Sequence, residues 1–406
     1  MFFNLILYIC IRICLILSVK TRKYSIVYCT PALYSAGGTE RVVTIKANYF
    51  AESLGYDVSI ILTEGQNLPP FFPLSDKVHV INLNLHFEEL WEKPFLVKVF
   101  LYLKKQKQYR KLLRSELKRI RPDFTISTLR REINFINDID DGSIKIGELH
   151  LSRANFRGPA SSDSNVLKRL FFGWWRKSMV SSLKKLGKFV TLTDKALLEW
   201  PELDNTVMIP DPLAIDSNGA CSPLSSKRVI AVGRYAYEKG YDLLLQAWAL
   251  VEKNFPDWQL DVYGMGNRAP YAQLMTELGI IPERCRLHGA LSDVKTAYCD
   301  SSLLVLPSRT EGFGLVLLEA MSCGVPVVAF DCGSGPSSIV SDGLEGFLVP
   351  MHDVAGLAEK MMRLMGDENL RKTMGSNGSQ KAKLYTIERI GDQWKQLFDE
   401  LMRNGA

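Results

Sequence analysis

The sequence predicts an α/β protein made of two Rossmann-like domains, each with a parallel sheet, facing one another across a cleft. Three observations carry the prediction. Short apolar runs rich in β-formers alternate with longer helical patterns along almost the whole chain, which is how βα units build a parallel sheet. Two of the runs, LLVLP at 303–307 and VPVVAF at 325–330, are apolar throughout, as strands covered on both faces are. Residues 210–226 (PDPLAIDSNGACSPLSS) are rich in Pro, Ser, Asn and Gly without a period, so they form a linker between two halves. A length of 406 residues leaves room for two or three domains.

In chain order, the first half offers strands at Tyr24–Cys29, Val58–Leu62, Val78–Leu83, Phe124–Ser127, Ile144–Leu149, Phe189–Leu192 and Val207–Ile209. The second half offers Val229–Val232, Gln259–Tyr263, Arg286–His288, Leu303–Leu306, Pro326–Phe330 and Gly346–Val349. No repeat of solenoid period is visible. Residues 21–212 are assigned to a first domain, 213–386 to a second, and 387–406 to a terminal helix whose stretch Ile387–Met402 is amphipathic and contains Trp394 and Phe398. Sheets of this kind bind ligands at the carboxyl ends of their strands, so function is sought in the loops that follow strands.

Residues 1–20 stand apart. Phe2–Val19 is an 18-residue apolar run broken by Asn4 and Arg12. That is marginal for a membrane span, and a charge near its centre costs ~2.5–3.5 kcal/mol. The chain continues straight into Lys20, Arg22 and Lys23 without a small-residue cleavage site, which argues against a cleaved signal peptide. A membrane anchor, an extra helix and an extension beginning upstream of the natural start all stay open, and the packed fold is expected to begin near Tyr24.

Composition narrows the function classes. With 47% hydrophobic and 23% charged residues the chain is neither disordered, collagenous nor a polytopic membrane protein. Fifty Lys and Arg against 44 Asp and Glu give +6, too mild an excess to imply nucleic acid but compatible with anionic small molecules or an acidic membrane face. The eight cysteines (10, 14, 29, 221, 285, 299, 323 and 332) form no C-x-x-C and mostly lie in apolar stretches, as buried thiols in a reducing compartment do.

Three segments carry chemistry. Pro307–Phe330 passes from a strand through Glu311-Gly312-Phe313-Gly314 into a helix from about Leu315 to Cys323, which Gly324 stops. Its glycines let backbone N–H groups approach a ligand, and the helix start adds unpaired donors, together an anion site suited to phosphate. Glu311 and Glu319, eight residues apart, are expected on about the same helix face roughly 12 Å apart, a span suited to a sugar and a ribose flanking a diphosphate. Gly233–Gly240 (GRYAYEKG) sets Arg234 and Lys239 at a strand end, two cations able to neutralise a departing diphosphate; the bland alternative is a solvated turn. Ser35–Arg41 places Gly37-Gly38 before a helix beginning near Arg41, again a phosphate-cradling turn, although it matches neither GxGxxG nor the P-loop. Alone it would be a tight βα turn.

In this order and on these elements, the segments resemble the retaining GT-B glycosyltransferases of the family-4 type. The resemblance covers nearly the whole chain from about Tyr24: GGTERVV, the strand-end LH at 149–150, VMIPDPL, GRYAYEKG, VYGMG, LHGAL and the E-x7-E within EGFGLVLLEA. E-x7-E alone is weak, and in order with the other motifs it is strong. The resemblance implies a GT-B fold with an acceptor-side first domain, a donor-side second domain and a terminal helix crossing back to the first. It implies that Arg234 and Lys239 hold the diphosphate of a nucleotide sugar, most commonly UDP-linked. It further implies that Glu311 contacts hydroxyls of the transferred sugar and Glu319 grips the ribose, that backbone groups of Phe313, Gly314 and Leu315 touch sugar or phosphate, and that Gly37 and Gly38 close on the phosphates. VMIPDPL carries Asp211 where the family more often has Asn, which puts interdomain hydrogen bonding there in doubt.

His150 ends the apolar strand IKIGEL, where the family often has a His near the donor sugar; a structural strand-end His is the bland alternative. The other histidines (79, 86, 288 and 352) lack metal-ligand spacing, and His288 in LHGAL is placed near the base. Asp138-Ile139-Asp140 looks like a metal-binding D-x-D but sits in INDIDDGS before a strand, so it is assigned to turn chemistry, and neither an essential metal nor another cofactor is expected. With no clear carboxylate nucleophile for double displacement, the resemblance favours front-face attack, in which a donor phosphate oxygen accepts the acceptor's proton while the domains close over it.

On the acceptor side, Phe95–Arg121 holds ten Lys and Arg against Glu116 alone, with aromatics interleaved, and Lys168–Lys188 adds a second basic cluster with Trp174 and Trp175. Both suit an anionic membrane surface near a lipid-linked or growing surface-glycan acceptor, at the inner face of the cell membrane; solvated helices are the alternative. The expected activity is transfer of a hexosyl or N-acetylhexosaminyl group in bacterial surface polysaccharide synthesis, with nucleotide-sugar epimerisation and non-catalytic nucleotide-sugar binding as rivals.

Overall fold

In the computed structural model the described residues are 22–66, 68–90, 92–153, 177–215, 219, 221–291 and 293–404. Among them the strands form two sheets, with every pair parallel. The first sheet runs β3-β2-β1-β4-β5-β6-β7, from β1 (Ser25–Cys29), β2 (Asp57–Leu62), β3 (Val78–Asn82), β4 (Phe124–Ser127), β5 (Ile144–Glu148), β6 (Lys188–Thr191) and β7 (Thr206–Met208). The second runs β10-β9-β8-β11-β12-β13, from β8 (Arg228–Val232), β9 (Gln259–Tyr263), β10 (Cys285–His288), β11 (Leu303–Leu306), β12 (Val327–Phe330) and β13 (Gly346–Val349). Each expected strand is present, its ends displaced by at most one residue. Pro326, for example, stays outside β12, since it has no N–H to give the ladder.

The winding reverses between β1 and β4 in the first sheet and between β8 and β11 in the second. Loops leaving the two strands at such a point diverge to opposite faces and leave a crevice between them. The four loops that must build a site are therefore those after Cys29, Ser127, Val232 and Leu306.

Five helices position these loops: α1 (Gly38–Glu52), α2 (Phe95–Ile120), α3 (Tyr241–Val251), α4 (Leu315–Ser322) and α5 (Ile387–Asn404). Strand alternation in β1 sends Ile26 and Tyr28 to one face, against Val43, Ala47 and Phe50 of α1, and Val27 and Cys29 to the other, against Tyr109, Leu113 and Leu117 of α2. Those three α2 residues recur every four positions, so one stripe is buried; most of the basic residues face solvent, while Lys105 is held by the Leu85 and His86 carbonyls. The second sheet buries its faces on α3 and α4 in the same way.

The terminal helix α5, though it follows the second domain, belongs to the first domain's core. Ile390, Trp394, Leu397 and Phe398 are buried among Phe50, Tyr56 and Phe124, with the Phe124 and Phe398 rings 4.5 Å apart. Each such side chain contributes ~1.5–3 kcal/mol, and the Tyr24 hydroxyl donates to Asp399 Oδ1 at 2.6 Å.

Three local expectations are corrected. Helix α1 starts at Gly38, three residues before Arg41: Gly37 is extended and its carbonyl accepts from the Arg41 N–H at 3.1 Å, closing the first turn. Helix α4 stops at Ser322, one residue early. Asp138 closes a short 3-10 turn, Ile136–Asp138, and pairs with Arg110 at 3.2 Å, while Asp141 pairs with Lys145. The DID stretch thus precedes β5, at the end of the sheet opposite the ligand loops. No described helix is long and apolar enough to cross a membrane. Residues 1–20 and most of the cluster around Trp174 and Trp175 lie outside the described residues.

Candidate active site

The four loops meet in an interdomain cleft of about 700 Å³. From β8, Arg234 leaves the strand end exposed, and its Nη2 donates to Glu238 Oε1 at 2.8 Å. One 3-10 turn, Tyr237–Lys239, then brings Lys239 back toward the sheet, where Nζ donates to Glu311 Oε1 at 2.7 Å. Ser308 Oγ donates to the same oxygen at 2.6 Å, so the carboxylate is held from two sides.

From β11 the chain passes Glu311 and Gly312 to Gly314, whose φ of +102° lies in the region open to glycine and sets the start of α4 at Leu315. The first amides of α4 have no partner within the helix, and Gly314, Leu315 and Val316 all line the cleft. Phe313 is buried against Tyr385, so its ring belongs to the core. Glu319, 2% exposed, accepts from Arg41 Nη1 at 2.6 Å and from the Tyr298 hydroxyl at 2.9 Å. Glu311 and Glu319 both line the cleft, but the expectation of one shared helix face is corrected: α4 begins four residues after Glu311, which sits in the loop.

The first domain supplies the opposite wall. Gly37 and Gly38 lead into α1, and a Cβ at Gly38 would stand 3.6 Å from Leu315, so this turn faces the start of α4 directly. One turn further on, Arg41 reaches across to Glu319; this residue sat inside the GGTERVV motif without a role.

His150 closes a buried chain of alternating charge. Its Nδ1 lies 3.4 Å from Asp211 and its Nε2 3.7 Å from Glu148, and Glu148 is paired with the fully buried Lys46 of α1. The Lys46 ammonium in turn sits 4.7 Å from the centre of the Trp394 ring of α5. Burial works against the charge on His150, but the two carboxylates prevail and raise its pKa to about 9. Glu148, for which burial is likewise opposed by Lys46 and His150, is drawn down to about 2. Asp211 in place of Asn therefore gives His150 an ionic partner. Ligand atoms of Glu148, His150 and Asp211 lie within 4.8 Å of one another, a grouping open to a metal ion, yet two anions here already face two cations. Lys46 was overlooked, although its spacing from Val42, Val43 and Phe50 sets it on the buried face of α1.

The walls touch where Gly312 meets His150: a Cβ on Gly312 would stand 2.3 Å from the His150 carbonyl oxygen. Ser152 and Thr310 hydroxyls approach to 3.4 Å beside it. At the far end Tyr263, Gly264, Met265, Ala290 and Leu291 form the lining. His288 does not line the cleft; it stacks behind Tyr263 at 4.4 Å and pairs with Asp261 at 2.7 Å. Phe71 and Phe72, which no sequence motif marked, line the first-domain side together with Arg130.

Residues 220–381 match the family model described as glycosyl transferases group 1. An uncharacterized glycosyltransferase of Haemophilus influenzae is 29% identical over 374 residues, spanning 89% of this chain and 96% of that protein. Among solved structures, sucrose-phosphate synthase of Thermosynechococcus elongatus superposes with a TM-score of 0.78 at 20% identity, covering 94% of this chain and all of that one. A mutant of TarM from S. aureus, crystallised with fondaparinux, α-GlcNAc-glycerol and UDP, gives 0.75 at 15% identity over 93% of this chain and all of that one. The likeness to both shows a GT-B fold.

Proposed function

The chain belongs to the glycosyl transferases group 1, and from that premise we propose that it moves a hexosyl or N-acetylhexosaminyl group, with retention, from a UDP-linked sugar to a surface polysaccharide or lipid-linked acceptor. The observation that carries the proposal is the convergence of the Arg234–Glu238, Lys239–Glu311 and Arg41–Glu319 pairs around the glycine turn of α1 and the amides that open α4. A diphosphate entering between them takes up Arg234, Lys239 and the α4 amides. Glu311 is then free to bind sugar hydroxyls and Glu319 to hold the ribose. UDP bound to TarM supports the choice of nucleotide.

In the transfer step the bond from the anomeric carbon to the leaving phosphate oxygen breaks as the acceptor hydroxyl oxygen bonds to that carbon from the same face. The hydroxyl proton passes to the departing phosphate. Arg234 and Lys239 stabilise the charge that grows there, a task worth more in a closed cleft than in water. His150 contributes a fixed positive charge at the junction of the walls, and Glu311, released by Lys239 but still held by Ser308, acts in binding the sugar hydroxyls.

The first domain is proposed to sit on an anionic membrane at the cytoplasmic face. Val97, Val99, Phe100 and Leu103 of α2 are 42–69% exposed and recur at helical spacing beside lysines.

Thermal shift and donor hydrolysis across UDP-, GDP- and ADP-sugars test the donor. UDP compounds are expected to stabilise the protein, and Lys239→Ala and Glu311→Ala to lower transfer by about 100-fold or more while the fold persists. Full turnover in either variant overturns the site assignment. Conversion of a UDP-sugar in the absence of acceptor would mark an epimerase instead.

A further inference from the structure

Five cationic side chains among the described residues line the cleft: Arg41, Arg130, His150, Arg234 and Lys239. Four of them face a carboxylate at 3.4 Å or less. Arg130 has no such partner among the described residues; it is exposed and lines the cleft. It stands on the loop after β4, the first domain's own switch-point loop, across the cleft from the loops that carry Arg234 and Lys239.

The backbone beneath it is held in place at some cost. Leu129, fully buried, has φ +56°, a left-handed conformation that a branched side chain avoids. Its side chain fills the space that Gly147 of β5 leaves, where a Cβ would come within 2.6 Å of Leu129 Cδ2. Leu129 N donates to Ser127 Oγ at 2.9 Å and Arg130 N to Glu132 Oε1 at 3.2 Å, while Ser127 Oγ donates to that same carboxylate oxygen at 2.7 Å. Glu132 is 2% exposed. The next residue, Arg131, turns away to Glu64 at 3.0 Å and lies 4.4 Å from the Phe87 ring centre. One of two adjacent arginines is thus spent on structure, and the other is delivered into the cleft by a strained, twice-anchored turn. Strain that the surroundings enforce in this way is a mark of function.

We infer that Arg130 receives an anionic group, phosphate or carboxylate, on the sugar acceptor. The inference rests on the transferase reading above and adds the acceptor's charge to it. A guanidinium offers a planar fork of donors matched to either anion. The donor diphosphate has its own cations on the facing wall, so the unpaired fork on this wall falls to the second substrate.

The test titrates glycerol 3-phosphate, glycerate and glycerol into the UDP-saturated protein by calorimetry. Glycerol 3-phosphate or glycerate is expected to bind and glycerol not; the stronger of the two anions identifies the group. Arg130→Gln is expected to weaken that binding about tenfold or more, the scale of a hydrogen bond to a charged group, with Arg130→Lys intermediate and UDP affinity kept. Equal binding of the anions by the wild type and Arg130→Gln overturns the inference. So does a loss of UDP affinity in Arg130→Gln, which would assign the residue to the donor. A wild type that fails to bind UDP at all refutes the donor proposal instead, and the anion titration on the unliganded protein then still decides whether Arg130 is an anion receptor.

Discussion

On the second-domain wall of the cleft, Arg234 and Glu238 are 63% and 38% exposed, and Lys239 and Glu311 are 20% and 10% exposed. On the first-domain wall, Lys46 and Glu148 are each 1% exposed, and His150 and Asp211 are 6% and 5% exposed. The solvent-exposed Arg234–Glu238 pair is worth ~0–1 kcal/mol and can be exchanged for an incoming anion at little cost, whereas Lys239–Glu311 is largely buried and gives way only to a partner as strongly charged. Buried pairs like those of the first-domain wall cost ~3–5 kcal/mol to break by removing one partner. Under the proposed function the second-domain wall hands Arg234 and Lys239 over to the donor, while the opposite wall uses charge as scaffolding. A transfer site needs both: one surface that answers to phosphate and one that stays fixed as a template for the second substrate.

The sharpest way to break that division is to stop the walls meeting. In Gly312→Ala the new Cβ would press on the His150 carbonyl at 2.3 Å, so the domains must separate by about 1 Å there. Misplacement on that scale is expected to lower kcat/KM about 100-fold. The change lies in a loop, so the thermal midpoint should stay near that of the wild type. Unimpaired transfer would mean that the contact plays no part in closure.

An effect of similar size, read in stability, separates scaffold charge from exchangeable charge through pH. His150 has a folded pKa of about 9 against an ordinary value near 6.5. The folded state therefore holds the proton more tightly. This stabilisation is fully present below about pH 6.5 and is lost as pH rises through about 9. Asp211→Asn removes one of the two carboxylates that sustain it, so it should cost ~3 kcal/mol near neutral pH, the low end for a buried pair broken on one side. Unfolding midpoints measured from pH 6 to 10 should show a shallower decline in the variant. Parallel pH profiles would place the His150 charge elsewhere.

The same contrast explains how much the sequence revealed. The thirteen strands were legible to within a residue because parallel strands buried on both faces leave continuous apolar runs, as LLVLP and VPVVAF do. The donor wall was legible because its chemistry is local: Arg234 and Lys239 lie in one loop, and Glu311 and Gly314 in another. The scaffold wall was legible only in part: His150 and Asp211 stood out in the sequence, but the partners that fix them are brought together across long separations. Lys46 meets Glu148 from 102 residues away, and Arg41 meets Glu319 from 278. Arg130 left still less trace, since its placement depends on the conformation of Leu129 and on a void above Gly147. The error over Glu311 and Glu319 has the same root, for helical spacing was extended across a loop that only Gly314 ends.

The smallest effect is expected at the outer face of the first domain, where the exposed apolar side of α2 touches neither wall. Phe100 and Leu103 are 69% and 62% exposed. Both side chains are mostly exposed, so replacing them with Ser should change stability by no more than ~0.5 kcal/mol, and transfer to a water-soluble acceptor should be unaltered. Binding to vesicles containing a third anionic lipid should nonetheless fall, because apolar insertion and the surrounding lysines act together at a membrane surface. Raising salt should weaken the wild type and leave the variant with little further to lose. If the double variant floats with vesicles as well as the wild type does, α2 faces water, and the membrane proposal loses its support in this helix.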